Sequence, residues 1–386
     1  MGRNEKKAYV EVTRQRYKKA IKEKKSRILE EFCETCGYNR KYAIRLLNKK
    51  PKRRPPKPRK VRPRYDKQVV LVPLKAIWLA CDQMCSKKLK AALPEWLPHY
   101  EKEYGVLSDL IRGQVCALSP ATIDRWLASY KDESRPRRGL SGTKPGTLLK
   151  HQIPIKVDHW DVTQPGFLEA DTVAHCGNSL AGNFVWSITY TDILTTWTEN
   201  RATWNKGSAG VVDQTKDVET HLPFSILGFD CDNGSEFLND HLYRYFTDRT
   251  QNPIQFTRSR PYHKNDNAHV EQKNWTHVRQ LFGYERFADE RLVGLMNNLY
   301  KNEWSLYQNH FCPSMKLIAK EKINSKYCKN YDKPQTPYQR IMACSHIDEQ
   351  KKKALTEKHA ELNPFELKRA IDKKVHYILR LVSLSR

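Results

Sequence analysis

Three acidic residues occupy positions where a carboxylate needs a reason. Asp171 falls inside FLEADTVAHCG, a stretch rich in strand-forming residues. Asp232 closes the apolar run PFSILGFDCD just before Asn233-Gly234, a turn signal. Glu271 lies in PYHKNDNAHVEQKNWTHVRQLFG, which reads as helix, 39 positions after Asp232. A carboxylate within an apolar strand is costly to bury unless it is paired or bound to a cation. The bland alternative for Asp232 is a solvated turn. Adjacent strand ends bring their residues together, and a helix crossing them can add a third acid. Hard divalent cations take oxygen ligands, and Mg²⁺ typically uses one or two carboxylates with phosphate oxygens and water. Two such ions roughly 3.5–4 Å apart can activate an attacking oxygen and stabilise a leaving one in an in-line displacement.

Each acid has a rival. Glu169 and Asp171 share a strand face by the period of two, as do Asp230 and Asp232, so spacing alone leaves either member of each pair open. Glu236 reads as the start of the next helix, where the helix dipole favours a negative charge.

The trio resembles that of insertion-sequence transposases in the retroviral-integrase superfamily. The match is carried by Asp171 in FLEADTVAHCG, by Asp232 in FDCDNGSEF with its Asp-Asn-Gly-x-Glu-Phe turn, and by Glu271 in NDNAHVEQKN. It covers about residues 155–285, and PQTPYQRI (334–341) is similar to a segment that follows the catalytic region in bacterial integrase-like transposases. The resemblance selects Asp171, Asp232 and Glu271 as both catalytic and metal-ligating. It implies a ribonuclease-H-like mixed sheet flanked by helices, two Mg²⁺ ions (or Mn²⁺), and cleavage at element ends followed by strand transfer into target DNA. It also implies paired terminal repeats held by a dimer or larger assembly, in the nucleoid-associated cytoplasm of a bacterium.

The elements that must position these acids are legible in outline. GFLEADTVAHC, FVWSITYTDI and TTWTENRA read as three strands, followed by a helix over 207–221 and the strand PFSILGFDCD. A helix over 236–249, the strand PIQFTRS and a helix over 266–282 complete an α/β order with helices on both faces of a mixed sheet. The catalytic region is expected over 154–285 and a mostly helical tail over 286–386. Lys264, Asn267 and Lys273 flank Glu271 and are candidate DNA contacts. Trp275, with the tryptophans at 186, 197 and 204, is expected in the core. His175-Cys176-Gly177 reads as a strand end rather than a metal site.

The charge is divided unevenly. Residues 1–150 hold 38 Lys and Arg against 15 Asp and Glu, net +23; residues 151–386 hold 31 against 28, net +3. A basic front half meets a polyanion. Residues 1–48 read as a helix-turn-helix, with Gly37 breaking the pattern and Arg40, Lys41 and Arg45 on the second helix. Residues 49–66 are a Pro-rich basic linker: KKPKRRPPKPRKVRPR packs ten Lys/Arg and five prolines into sixteen residues. Its Arg53, Arg54, Arg59 and Arg62 can lie along phosphates or enter a minor groove. A second helix-turn-helix is expected within 67–131, with Ser119 as N-cap, Pro120 at the first helical position, and Thr122 and Arg125 on the open side. Residues 132–153 read as another linker.

Ten cysteines form no dense framework, and Cys33-x-x-Cys36 has no partner motif at zinc-finger spacing, so reduced thiols are expected. No run of eighteen apolar residues is present, and MGRNEKKAYV has no apolar secretory core, so no membrane is expected. No G-x-x-x-x-G-K-[ST] loop occurs, as suits a reaction that exchanges one phosphodiester for another. Two other readings compete: a ribonuclease-H-like nuclease that cuts without joining, and a non-catalytic DNA-binding regulator derived from a transposase. The charge asymmetry makes a prediction of its own. DNA affinity measured by fluorescence anisotropy should fall steeply with salt, and deletion of residues 1–66 should weaken it; a flat salt response would remove the argument from the basic half.

Overall fold

The computed structural model describes residues 3–49, 65–131, 162–232, 234, 236–249, 253–258, 268–323 and 326–384. Two compact units divide the chain, one up to Arg64 and one from Tyr65 onward. The first has three helices, α1 (Arg3–Lys19), α2 (Lys22–Cys36) and α3 (Arg40–Asn48). Val10, Leu29, Phe32, Cys36, Ala43 and Leu47 form its core. Gly37 closes α2 in the left-handed region (φ 67°), where a residue without Cβ is at ease, and Asn39 caps α3 by accepting from the Lys41 N–H at 3.0 Å. Helices α2 and α3 join through the turn at Gly37, and α1 packs against both.

The second unit begins with four helices: α4 (Lys67–Ala80), α5 (Ser86–Tyr104), α6 (Asp109–Ala117) and α7 (Pro120–Leu127). Ser108 and Ser119 cap α6 and α7, and Pro120 takes the first position of α7. The sheet follows: β1 (Phe167–Ala174), β2 (Val185–Asp192), β3 (Thr198–Trp204), helix α8 (Ser208–His221), β4 (Gly228–Cys231), α9 (Asp240–Thr247) and β5 (Gln255–Arg258). Strand order is β3-β2-β1-β4-β5, with β1, β2 and β3 antiparallel and β4 and β5 parallel to β1. Then come α10 (Ala268–Lys273), a π-helical turn (Asn274–Arg279), α11 (Gln280–Phe282), α12 (Arg291–Leu299), a second π turn (Tyr300–Trp304) and α13 (Ser305–Phe311). A hairpin of β6 (Leu317–Ile323) and β7 (Lys326–Tyr331) precedes α14 (Pro337–Ala343), α15 (Glu349–Glu361) and α16 (Pro364–Leu384).

Leu168, Ala170, Phe229 and Cys231 face one side of the sheet, in a core with residues of α8 and α9. Glu169 and Asp171, of opposite parity, belong to the face over which α10 crosses.

Three local expectations shift. The helix expected from 236 starts at Asp240, because Asn239 is the residue that caps it, accepting from the Leu242 N–H at 2.9 Å. The strand before Asp232 is shorter than its apolar run, spanning only Gly228–Cys231. The tail also contains the β6–β7 hairpin, whose Lys-interleaved sequence offers no clean alternation.

The segments 67–131 and 286–384 are distant in sequence yet share one core. Trp78, Leu89, Trp96 and Leu127 pack in the same cluster as Met296, Tyr307, Phe311, Phe365 and Ile371. Trp96 of α5 is fully buried, donates its indole N–H to the Phe311 carbonyl at 3.1 Å, and meets Tyr307, Phe311 and Phe365 edge-on. Trp96→Ala should therefore cost about 3–5 kcal/mol of stability. Urea unfolding followed by circular dichroism should show the helical and sheet signals of the second unit shifting together; a loss confined to a minor helical fraction would contradict the shared core.

Candidate functional site

β1 and β4 run parallel with Glu169 opposite Asp230 and Ala170 opposite Cys231. One step further along, Asp171 in the middle of β1 lies beside Asp232, which stands just past the end of the shorter β4. Asp171 is half-buried and fixed on both oxygens: Oδ1 accepts from the Thr172 N–H at 2.7 Å and Oδ2 from Asn274 Nδ2 at 2.6 Å. Asp232, also half-buried, accepts from the Gly234 N–H at 2.9 Å, two residues further on. Glu271 is exposed on α10, and its charge reaches Asp171.

The rival acids have structural occupations. Glu169 is buried and accepts from the Val270 N–H at 3.2 Å, capping the first turn of α10 from the sheet. Asp230 is buried and accepts from Thr257 Oγ1 at 2.6 Å on β5. Thus Glu169 and Asp230 join elements, while Asp171 and Asp232 come together where β4 ends beside β1.

Glu236 is not a helix-start residue. It is buried, its Oε1 accepts from Thr172 Oγ1 at 2.9 Å and from Lys206 Nζ at 2.5 Å, and its Oε2 has no hydrogen-bond partner among the described residues. Four carboxylates therefore feel one another. Burial first, then the neighbouring Asp232, with smaller contributions from Glu271 and Glu236, pushes Asp171 up to about 8. Burial, then Glu236, raises Asp232 to about 6, against the pull of Lys206. Removing hard oxygen donors from water and setting them against one another suits a hard divalent cation, and the partnerless Glu236 oxygen agrees. Among the described residues, no group of three or more His, Cys, Asp or Glu side chains is arranged to hold a metal ion as it stands.

The other sequence candidates divide. Arg40, Lys41 and Arg45 are exposed on α3, and Arg125 is exposed on α7. Thr122 is half-buried beside Ser119, with the two hydroxyls 3.0 Å apart. Arg53, Arg54, Arg59, Arg62, Lys264 and Asn267 lie outside the described residues. Lys273 is not a surface contact: it is buried, and burial, with help from Lys88, lowers it to about 7. Two residues past Glu271 on a helix lies a different face, and that face turns inward. Trp275 departs in the other direction, being 41% exposed, whereas Trp186 and Trp197 are buried. It sits in the π turn after α10, beside Asn274, and such turns re-aim side chains on a helix. His175 is a core residue, stacked on Phe287 and bonded to Ser187 at 2.8 Å. Thr172, Lys206 and the role of Asn274 carry no mark in the sequence beyond their neighbours.

A five-stranded β3-β2-β1-β4-β5 sheet, antiparallel on one side and parallel on the other, defines a ribonuclease-H-like fold with helical regions before and after it. No protein-family profile matches the chain. The uncharacterized protein y4rM of Sinorhizobium fredii (strain NBRC 101917 / NGR234) is 36% identical over 337 residues, which span 86% of this chain and 93% of that protein. The chain belongs to the y4rM family. Among solved structures, the catalytic core domain of HTLV-2 integrase in complex with magnesium is similar in its dimeric and trimeric forms. Identity is 14% in both, over 39% and 38% of this chain and 90% and 86% of that domain, with TM-scores of 0.28 and 0.27. No described helix is long and apolar enough to cross a membrane.

The crowding of acids has a measurable sign. A folded-state pKa of about 8 for Asp171, against the ordinary aspartate value of 3.8, means that the native protein holds a proton which the unfolded chain has released. Stability in EDTA should therefore fall as pH rises from about 4 to about 8. Thermal melts of Asp171→Asn should show a flatter dependence over that window; an unchanged slope would place the strain elsewhere.

Proposed function

We propose that this protein is a DNA transposase or integrase, cutting at the ends of a mobile element and joining those ends to target DNA. The observation that supports it most is the meeting of Asp171 on β1 with Asp232 just past the end of β4, with the charge of Glu271 on α10 acting on Asp171. In the proposed reaction a water oxygen attacks phosphorus at the element end, and the phosphodiester opens to leave a free 3′-hydroxyl. That hydroxyl then attacks a target phosphodiester, so one such bond replaces another and no nucleotide cofactor is consumed.

Asp171, Asp232 and Glu271 would hold two Mg²⁺ ions, or Mn²⁺ in their place. Such ions, when bound, supply Lewis acidity toward the attacking and leaving oxygens. The protein's own part is to hold the donors still. Asn274 and the Thr172 amide fix the Asp171 carboxylate, the Gly234 amide fixes Asp232, and Glu169 fixes the helix that carries Glu271. Preset donors need not reorganise when charge builds up on phosphorus. The exposed ring of Trp275, one turn beyond Glu271, offers a stacking face to an unpaired base at the cut end.

Double-stranded DNA is the proposed partner, both as terminal repeats and as target. Arg40, Lys41 and Arg45 on α3 would face one stretch of it, and Thr122 and Arg125 on α7 another. Arg53, Arg54, Arg59 and Arg62 would follow the backbone between them, with Lys264 and Asn267 near the cut. Two ends joined in one event call for a dimer or larger assembly, in the bacterial cytoplasm where the nucleoid lies.

Incubation with labelled element-end DNA and Mg²⁺ tests the reading. Wild-type protein should cleave and then join, whereas Asp232→Asn should bind DNA with unchanged affinity and lose cleavage by at least about a thousandfold. Cleavage that survives the substitution would overturn the site, cleavage without joining would favour the nuclease, and binding alone in both proteins would favour the regulator.

A further inference from the structure

The geometry points to Lys206 as a resident counter-cation of the acid pocket, one that stands in for positive charge before a divalent ion arrives and competes with it. The inference rests on the reading of the pocket as a divalent-cation site. Lys206 lies in the short turn between β3 and α8, and no motif marks it. Asn205 before it adopts the left-handed conformation (φ 56°), which asparagine tolerates, and is held in place by the Phe184 backbone, donating to its carbonyl at 3.1 Å. That turn sends the lysine across the face of Trp186, with Nζ 4.3 Å from the ring centroid. The ammonium ends on Glu236 Oε1 at 2.5 Å, with the glutamate side chain fully buried and the lysine side chain 19% exposed.

Glu236 is built in to receive it. Its carboxylate lies over Gly234, where a Cβ would come within 2.5 Å of Oε2, so a side chain at 234 would push the carboxylate aside. Thr172, the neighbour of Asp171, donates to the same glutamate oxygen that takes the lysine. Lys206 is thereby linked through Glu236 to the strand that carries Asp171, and its charge also acts on Asp232. Against the acids at 171, 232, 236 and 271, one ammonium offsets only part of the negative charge. A pocket so arranged stays folded without metal and still attracts a doubly charged ion.

Competition between like charges has a sign that a plain structural ion pair does not share. Removing the ammonium deepens the negative potential, so a divalent ion binds more tightly even as the metal-free protein becomes less stable. Mn²⁺ titration by calorimetry, with melts in EDTA, tests this in the full chain. Lys206→Met should bind Mn²⁺ on the order of tenfold more tightly than wild type. Its melting temperature in EDTA should be lower than wild type, and Mn²⁺ should raise it by more than it raises wild type. Binding as weak as wild type or weaker would overturn the proposal, leaving Lys206 a structural pair. Should Lys206→Met not fold, Glu236→Gln and the double variant Lys206→Met/Glu236→Gln make the same comparison. The double variant should bind more tightly than Glu236→Gln alone, and equal affinity would overturn the proposal. Asp232→Asn separates the two readings: if wild type binds no Mn²⁺, or binds it equally well with Asn at 232, the pocket itself is misread and this proposal falls with it.

Discussion

Repulsion among carboxylates at one end of the sheet is the constraint around which the second unit is organised. Asp171 comes from the middle of β1, Asp232 and Glu236 from the end of β4 and the turn beyond, and Glu271 from α10. Like charges withdrawn from water push one another toward the protonated form, and a fold would shed them unless other groups held them in place. The holding groups are all present. Backbone amides at Thr172 and Gly234, the Asn274 amide group and the Lys206 ammonium each take a carboxylate oxygen.

Two further acids keep that arrangement in register. Glu169 and Asp230 sit opposite each other across the parallel β1–β4 pair, one step inside the pocket. Glu169 reaches up to the first turn of α10, where unpaired N–H groups and the helix dipole welcome a negative charge, and so sets where Glu271 stands. Asp230 reaches sideways to Thr257 and ties β4 to β5. A strand's period of two puts inner and outer acids on the same face, yet a step of two residues gives them different duties.

The helices before and after the sheet form a second layer of support. Leu89, Trp96 and Leu97 of α5 share their core with Tyr307 and Phe311 of α13 and Phe365 of α16, although more than two hundred residues separate the first of these from the last. Lys273 lies buried on the inward side of the helix that carries Glu271, within electrostatic reach of Lys88 on α5 and Arg340 on α14. The face of α10 that bears the acid is thus backed by elements from both ends of the chain.

Much of this was legible in the residue order, because it depends on local chemistry. Asn-Gly after Asp232, Gly37 between two helical runs and Ser119-Pro120 at a helix start are turn and cap signals that act over a few residues; Gly37 and Ser119-Pro120 stand where they were read, and the Gly234 N–H turns back to Asp232. The α/β order of the sheet region followed in the same way from strand-forming runs and polar breaks. The β6–β7 hairpin escaped because its apolar residues do not alternate cleanly, and the start of α9 slipped by four residues because Glu236 looks like a helix-start acid. Its true partners, Thr172 and Lys206, lie 64 and 30 positions away. The same limit explains Lys273 and Trp275: whether a helical residue faces in or out is set by what packs against that helix, and the layers over α10 come from elsewhere in the chain. Residue types and short spacings therefore announced which acids could act. Which acid of each pair meets the other carboxylates, what neutralises it and what lies behind it depend on long-range packing, and no local pattern encodes that.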